Sequence, residues 1–183
     1  MTVCDSGPLI HLSRIGKIDL LKKLFGSVSI TESTHREVVE DGRALGKPGV
    51  SAVEQAIEEG WIKVAKLEPR DLERAARLAR NEPIDEGDAK AIVLALKSRT
   101  ALVTNDRMVI LSARTLGVEC LWTTSLLLRA VRARAVAPSE ALLMLQKLAE
   151  TGLHMRLEVY EALRAAIEEL RRSHHADPIP GRL

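Results

Sequence analysis

Five short runs of β-favouring residues recur along the chain, at 2–4, 27–31, 61–67, 101–104 and 118–122, and helical periodicity fills the intervals between them. A strand that hands over to a helix before the next strand begins can pair with that strand in parallel, because the crossover carries the chain back to the starting edge. A parallel sheet is buried on both faces by such crossovers. With right-handed connections, the alternation predicts an α/β fold: a doubly wound parallel sheet of about five strands. The helices fall at about 8–15, 18–25, 32–41, 50–59, 69–80, 86–98 and 107–116. From Thr124 onward the periodicity is helical only, at 124–134, 138–151 and 156–172, with Pro138 and Ser139 as a start signal and Gly152 as a stop. The organisation expected is an α/β domain over 1–135, a helical extension over 136–172 packed on it, and a polar, Pro-rich, unstructured tail over 173–183.

At 183 residues the chain can bury a proper core, and aliphatic side chains must supply it, since Phe25, Trp61, Trp122 and Tyr160 are the whole aromatic complement. That scarcity argues against binding single strands on rows of stacking aromatics. A net charge of +2 does not by itself mark a nucleic-acid binder. The local clusters Arg129, Arg132, Arg134 and Arg171, Arg172 equally fit solvated helix faces. Cys4 and Cys120 sit in apolar strand-like runs and form no disulfide framework. No apolar run reaches the roughly 20 residues of a membrane span, and no signal peptide precedes Asp5. A cytoplasmic protein with reduced, buried thiols and no membrane association is the expectation.

Acidic residues recur where strands end. Asp5 closes the first run, and Ser6 and Pro8 behind it suit the start of a helix. Asp106 closes "ALVTND" and opens another helix, beside Thr104 and Asn105. Each has a plain explanation as a helix cap. Finding both at strand carboxyl ends is more informative, because ligands of open parallel sheets bind there, near the point where strand order reverses. In "EPIDEGDAKAIVLAL", Asp85 is a good N-cap and Asp88 completes a capping-box spacing. The small and apolar residues after it bury this helix against the sheet, which makes Asp88 the inward carboxylate and Asp85 the cap. Glu37 in "TESTHREVVEDG" is a fourth acid, which equally fits a solvated acidic face. No Gly-rich phosphate loop and no Cys/His set spaced for zinc is present.

The order Asp5, Glu37, Asp88, Asp106 on this alternation resembles the PIN-domain nucleases, VapC-type ribonuclease toxins among them. The resemblance is carried first by "DSGPLIHLSRIGKIDLL". That stretch is similar to the opening of a prokaryotic PIN-like branch, which has a second serine where this chain has Gly7 and a leucine where it has Ile18. The resemblance continues through "EVVEDG", "AIEEGWIKV", "DEGDAKAIVLAL", "ALVTNDR" and "TGLHMRLEVYEAL". The branch usually has Gly-Glu where this chain has Gly87-Asp88, and often Asp-Asp where it has Asn105-Asp106.

The resemblance implies a three-layer α/β/α fold and hydrolysis of RNA phosphodiesters with Mg²⁺ or Mn²⁺, hard cations that suit oxygen ligands. It implies Asp5 and Asp106 as direct metal ligands and Asp88 as a third, direct or through water, with Glu37 holding or deprotonating water. Ser6, Thr104 and Asn105 would orient these groups, and Arg107, Arg129 and Arg132 would hold the phosphate backbone. An antitoxin protein and a homodimer are the partners such a family suggests besides RNA. The alternative is a catalytically silent PIN fold serving as a binding or scaffold module. A phosphatase-like hydrolase fits less well, because position 7 is Gly and no Asp-x-Asp follows the first strand.

Overall fold

The computed structural model describes residues 1–176, and side chains as far as Arg172. Its described residues form two compact units, one over Met1–Thr123 and one from Thr124 onward.

The first unit is a single sheet of five parallel strands flanked by helices: β1 (Thr2–Cys4), β2 (Val28–Thr31), β3 (Ile62–Ala65), β4 (Leu102–Val103) and β5 (Cys120–Leu121). The spatial order is β3-β2-β1-β4-β5. The chain therefore starts in the middle, builds outward to one edge, then returns to β1 and builds to the other. The point where the order reverses lies between β1 and β4, paired in register Val3↔Leu102 and Cys4↔Val103. The three central strands are buried along their whole length because both faces are covered: Val3, Cys4, Val28, Ile30, Leu102 and Val103 are fully buried, and Ser29 and Thr31 are buried with them. β3, at an edge, is exposed at both Lys63 and Val64.

The connecting helices are α1 (Ser6–Arg14), α2 (Asp19–Phe25), α3 (Glu32–His35), α4 (Gly42–Ala44), α5 (Val50–Glu58), α6 (Pro69–Asn81), α7 (Glu86–Ser98) and α8 (Arg107–Thr115). The apolar stripes of α2 and α5 are core: Leu20, Leu21, Val53 and Ala56 are buried. α7 is apolar nearly all round, with Ala89, Ala91, Ile92, Val93 and Ala95 buried between the sheet and α6. Gly49 is required where α5 begins. Its φ is +90°, and a Cβ there would lie 2.8 Å from the Ser13 backbone of α1.

One element departs from the expected simple helix over 32–41. Between α3 and α4 the residues Arg36–Asp41 form a π-helical turn, with the Gly42 amide reaching back five residues to the Glu37 carbonyl. Helical backbone then continues to Ala44, past the expected end, and Val50 of α5 packs against Gly42, where a Cβ would meet it at 2.9 Å.

The second unit is helical, with α9 (Thr123–Arg132) beginning at the boundary and α10 (Pro138–Glu150) and α11 (Leu157–Ala176) following. Leu126, Leu127, Met144, Leu145, Leu148 and Ile167 are among its buried apolar residues. α11 runs beyond the expected helix end at 172. The rest of the expected tail, 177–183, lies outside the described residues. Cys4 and Cys120 are free and buried, and no helix among the described residues is long and apolar enough to cross a membrane.

Candidate active site

Asp5 stands where β1 ends, and the β1–β4 ladder places it. Its amide donates to the Val103 carbonyl at 2.9 Å, one step past the last paired residues. The same register sets Thr104 beside it, and the Thr104 hydroxyl donates to Asp5 Oδ2 at 2.9 Å. Asp5 Oδ1 caps α1 by accepting from the Ser6 amide at 2.8 Å. Asp5 is 8% exposed and has no ion-pair partner among the described residues. Burial raises its pKa, the Ser6 amide and Thr104 hydroxyl pull it back, and the charges of Asp85 and Asp106 push it up again.

Asp106 follows β4 and caps α8, Oδ1 accepting from the Met108 and Val109 amides at 2.6 and 3.1 Å. Its own amide donates to Thr104 Oγ1 at 3.2 Å. Thr104, fully buried, thus passes one hydrogen bond to Asp5 while receiving one from the start of α8. Asn105 between them turns its Oδ1 to the Thr123 amide at 3.1 Å, which fixes the amide plane and leaves the buried Nδ2 unpartnered among the described residues.

At the start of α7, Asp85 and Asp88 form a reciprocal capping box. Asp85 Oδ1 accepts from the Asp88 amide at 2.8 Å, and Asp88 Oδ2 accepts from the Asp85 amide at 3.4 Å. Asp85 is therefore a cap, and it also faces the same cavity as Asp88. Burial, then the charges of Asp5 and Asp85, push the Asp88 carboxyl up to about 7. Glu37 reaches the site from the π-helical turn. Partial withdrawal from water raises its pKa, the facing Ser6 side chain lowers it, and the charges of Asp5 and Asp85 raise it further. Inserting the extra residue of a π turn rotates the later residues relative to α3, and such turns occur often at functional sites.

These groups share one open cavity of about 820 Å³ at the carboxyl ends of β1 and β4. Asp5, Ser6, Glu37, Asp88, Asn105 and Asp106 line it, with Thr104 beneath. Among the described residues the lining cations are Arg36 and Lys90, neither of which stood out in the sequence. Lys90 is half-buried and pairs with Glu86 at 2.7 Å, whereas Arg36 has no ion-pair partner among the described residues. The i,i+4 spacing of Glu86 and Lys90 was the available signal for the lysine. Nothing about Arg36 in sequence separates it from a surface arginine. Arg107 is exposed in the first turn of α8 and is not in the cavity wall, and Arg129 and Arg132 are exposed on α9 in the second unit.

As the side chains stand, no three Asp, Glu, His or Cys groups among the described residues are gathered closely enough to hold a metal ion. The donor set nevertheless fits a hard divalent cation: it is all oxygen and predominantly carboxylate. Asp106 Oδ2 and Asp88 Oδ1 accept no hydrogen bond among the described residues. A buried carboxylate with neutral donors only, such as Asp5, is a group that a cation in the cavity would stabilise.

A family model described as a PIN domain matches residues 1–169. No curated protein matches the chain.

Proposed function

The chain belongs to the PIN-domain family, and on that premise we propose that it is a divalent-metal-dependent endoribonuclease acting in the acidic cavity at the carboxyl end of its sheet. The observation that carries the reading is the meeting of Asp5, Glu37, Asp88 and Asp106, from four separate segments, in one cavity where carboxylates outnumber cations. Asp5 and Asp106 would hold Mg²⁺ or Mn²⁺ directly, and Asp88 directly or through water. When bound, such an ion would make water a better nucleophile at neutral pH and neutralise charge on the phosphate. Glu37 would orient the attacking water and take its proton as the water oxygen adds to phosphorus and the P–O bond to the leaving sugar breaks. Thr104 would keep Asp5 turned into the cavity. Arg36 and Lys90 would meet the non-bridging oxygens, and Arg107, Arg129 and Arg132 extend the proposal to flanking phosphates.

The test is incubation of the purified protein with end-labelled single-stranded and structured RNAs. Cleavage is expected with Mg²⁺ or Mn²⁺, none with EDTA, and none by Asp106→Asn. Metal-independent cleavage that disappears on further purification would mean contamination and remove this support. A second reading, the catalytically silent module, is favoured by two observations: Asp5 and Asp106 already serve as helix caps, and no three acids are gathered at one point among the described residues. RNA binding without cleavage in any metal would decide for it. The resemblance to VapC-type toxins extends the proposal to a toxin whose antitoxin protein would cover the cavity. Growth arrest on induction, absent for Asp106→Asn, is the outcome that reading expects.

A further inference from the structure

A second groove, of about 480 Å³, lies along the α6/α7 hairpin in the first unit, lined by Glu68, Asp71, Lys97, Arg70, Arg74 and Arg77 among others. Lys97 takes up both acids, at 3.0 Å from Glu68 and 2.7 Å from Asp71. The three arginines are left with no ion pair among the described residues, and all are exposed. They stand at i, i+4 and i+7 of α6 and so form one stripe on its surface. Arg70 and Arg74 are a like-charge pair at i,i+4, an arrangement that weakens a helix unless an anion is present. Asn81 continues the stripe, roughly 16 Å from Arg70 along the helix axis. The next segment leads to Asp85, which lines the acidic cavity.

We propose that this stripe is a second RNA-contact surface, which holds the phosphate backbone of the strand whose scissile bond lies in the cavity. The proposal rests on the endoribonuclease reading. Three guanidinium groups spaced about one helical turn apart match a ladder of successive phosphates, and arginine's planar fork suits phosphate oxygens. No aromatic side chain lies on α6, so the stripe holds the backbone and reads no bases. From the groove α6 runs on to Asn81, towards the loop that carries the Asp85–Asp88 capping box, so a strand that follows the helix from groove to loop would reach the cavity.

The experiment compares the full-length protein with Arg70→Gln/Arg74→Gln/Arg77→Gln. The substitutions are exposed, glutamine is a good helix former, and circular dichroism checks that the fold is kept. Binding of a fluorescein-labelled 20-nucleotide single-stranded RNA is followed by anisotropy in EDTA between about 50 and 200 mM salt. Each phosphate contact on a single strand contributes about 0.7 to the slope of log K against log salt, so losing three lowers the slope by about 2. Wild type should therefore lose on the order of tenfold more affinity than the variant over that range. In Mg²⁺, the variant should lose kcat/KM on the 20-nucleotide RNA while cleaving a tetranucleotide as wild type does. An unchanged salt slope, with wild type binding RNA, overturns the stripe and leaves the nuclease reading standing. Wild type that neither binds nor cleaves RNA overturns the nuclease reading and the stripe with it. Equal RNA binding, with polyglutamate held by wild type but not by the variant, would assign the groove to an acidic protein and also overturn the proposal.

Discussion

The two ends of α7 hold acidic clusters that the fold treats in opposite ways. At its carboxyl end Glu68 and Asp71 face Lys97, with Glu68 and Lys97 exposed and Asp71 half-buried, and the lysine holds the Asp71 carboxyl below its ordinary range. At its amino end Asp88 faces Asp5, Asp85 and Asp106, and its pKa is pushed up to about 7 by burial and then by those charges. Lys90, the nearest lysine on the same helix, is paired away with Glu86. The first cluster is complete as it stands and has no reason to bind anything positive. The second is a set of anions that outnumber the cations beside them, Arg36 and Lys90, which costs stability in the isolated chain and leaves free energy for a metal cation to recover. Acid clusters are thus told apart by whether the fold supplies the opposite charge, more than by how many carboxylates they contain.

The largest expected effect breaks the equivalence of two of the three helix caps that face the cavity, Asp106 and Asp85. Asp106→Asn should lower RNA cleavage by at least roughly a hundredfold with the melting temperature nearly unchanged, because asparagine caps a helix as well as aspartate does. Asp85→Asn should keep most of the activity. Loss in Asp85→Asn with retention in Asp88→Asn, measured as initial rates on one RNA, would exchange the roles given to that pair.

Next in size is the response to metal. With Mn²⁺ at about five times its Kd, wild type should gain roughly 1 kcal/mol, or about 2–4 °C in Tm. Asp5→Asn should lose most of that gain and, in EDTA, melt at or above the wild-type temperature. A mutant melting several degrees lower in EDTA, beside a wild type indifferent to Mn²⁺, would make Asp5 a structural cap.

The pH dependence of stability sharpens the comparison through its sign. Asp88 keeps its proton in the folded chain up to about pH 7, while in the unfolded chain it loses it near the ordinary value of 3.8. Between those values the native state binds the extra proton, so stability falls as pH rises through the window and is level above it. Asp5 and Glu37 are shifted the same way. Thermal melts of metal-free protein from about pH 4.5 to 8 should show this decline, and Asp88→Asn should flatten it. The Asp71 carboxyl is lowered, so its contribution is present above its unfolded pKa and lost only as pH falls through the folded one. Asp71→Asn should leave the decline above about pH 4.5 untouched.

The smallest effect expected is that of Lys97→Met. Its two partners are solvent-exposed ion pairs, worth little in water. The shift in Tm should fall within the scatter of repeat melts, and a larger drop would mean that the carboxyl-end cluster is a structural clamp.

The strands were readable because burial on both faces leaves little choice of residue: Val3-Cys4, Val28–Thr31 and Leu102–Val103 are buried throughout. Asp5, Asp85 and Asp106 were readable as caps for an equally local reason, since each accepts from an amide one to three residues ahead. Other features escaped because they depend on distant segments. The π-helical turn at Arg36–Asp41 goes with the packing of Gly42 against Val50, and the positions of Arg36 and Lys90 in the cavity wall follow from how α7 and that turn approach the β1–β4 boundary.

Sequence alone determined the alternation, and hence a parallel sheet, together with which carboxylates sit at strand and helix ends. These follow from periodicity and from hydrogen bonds a few residues long. The tertiary structure decided the strand order β3-β2-β1-β4-β5 and the register that sets Thr104 against Asp5. It also decided that the acids share a cavity without enough positive charge. Those properties arise from contacts between segments far apart in the chain, where side chains come to share one cavity and shift one another's charge.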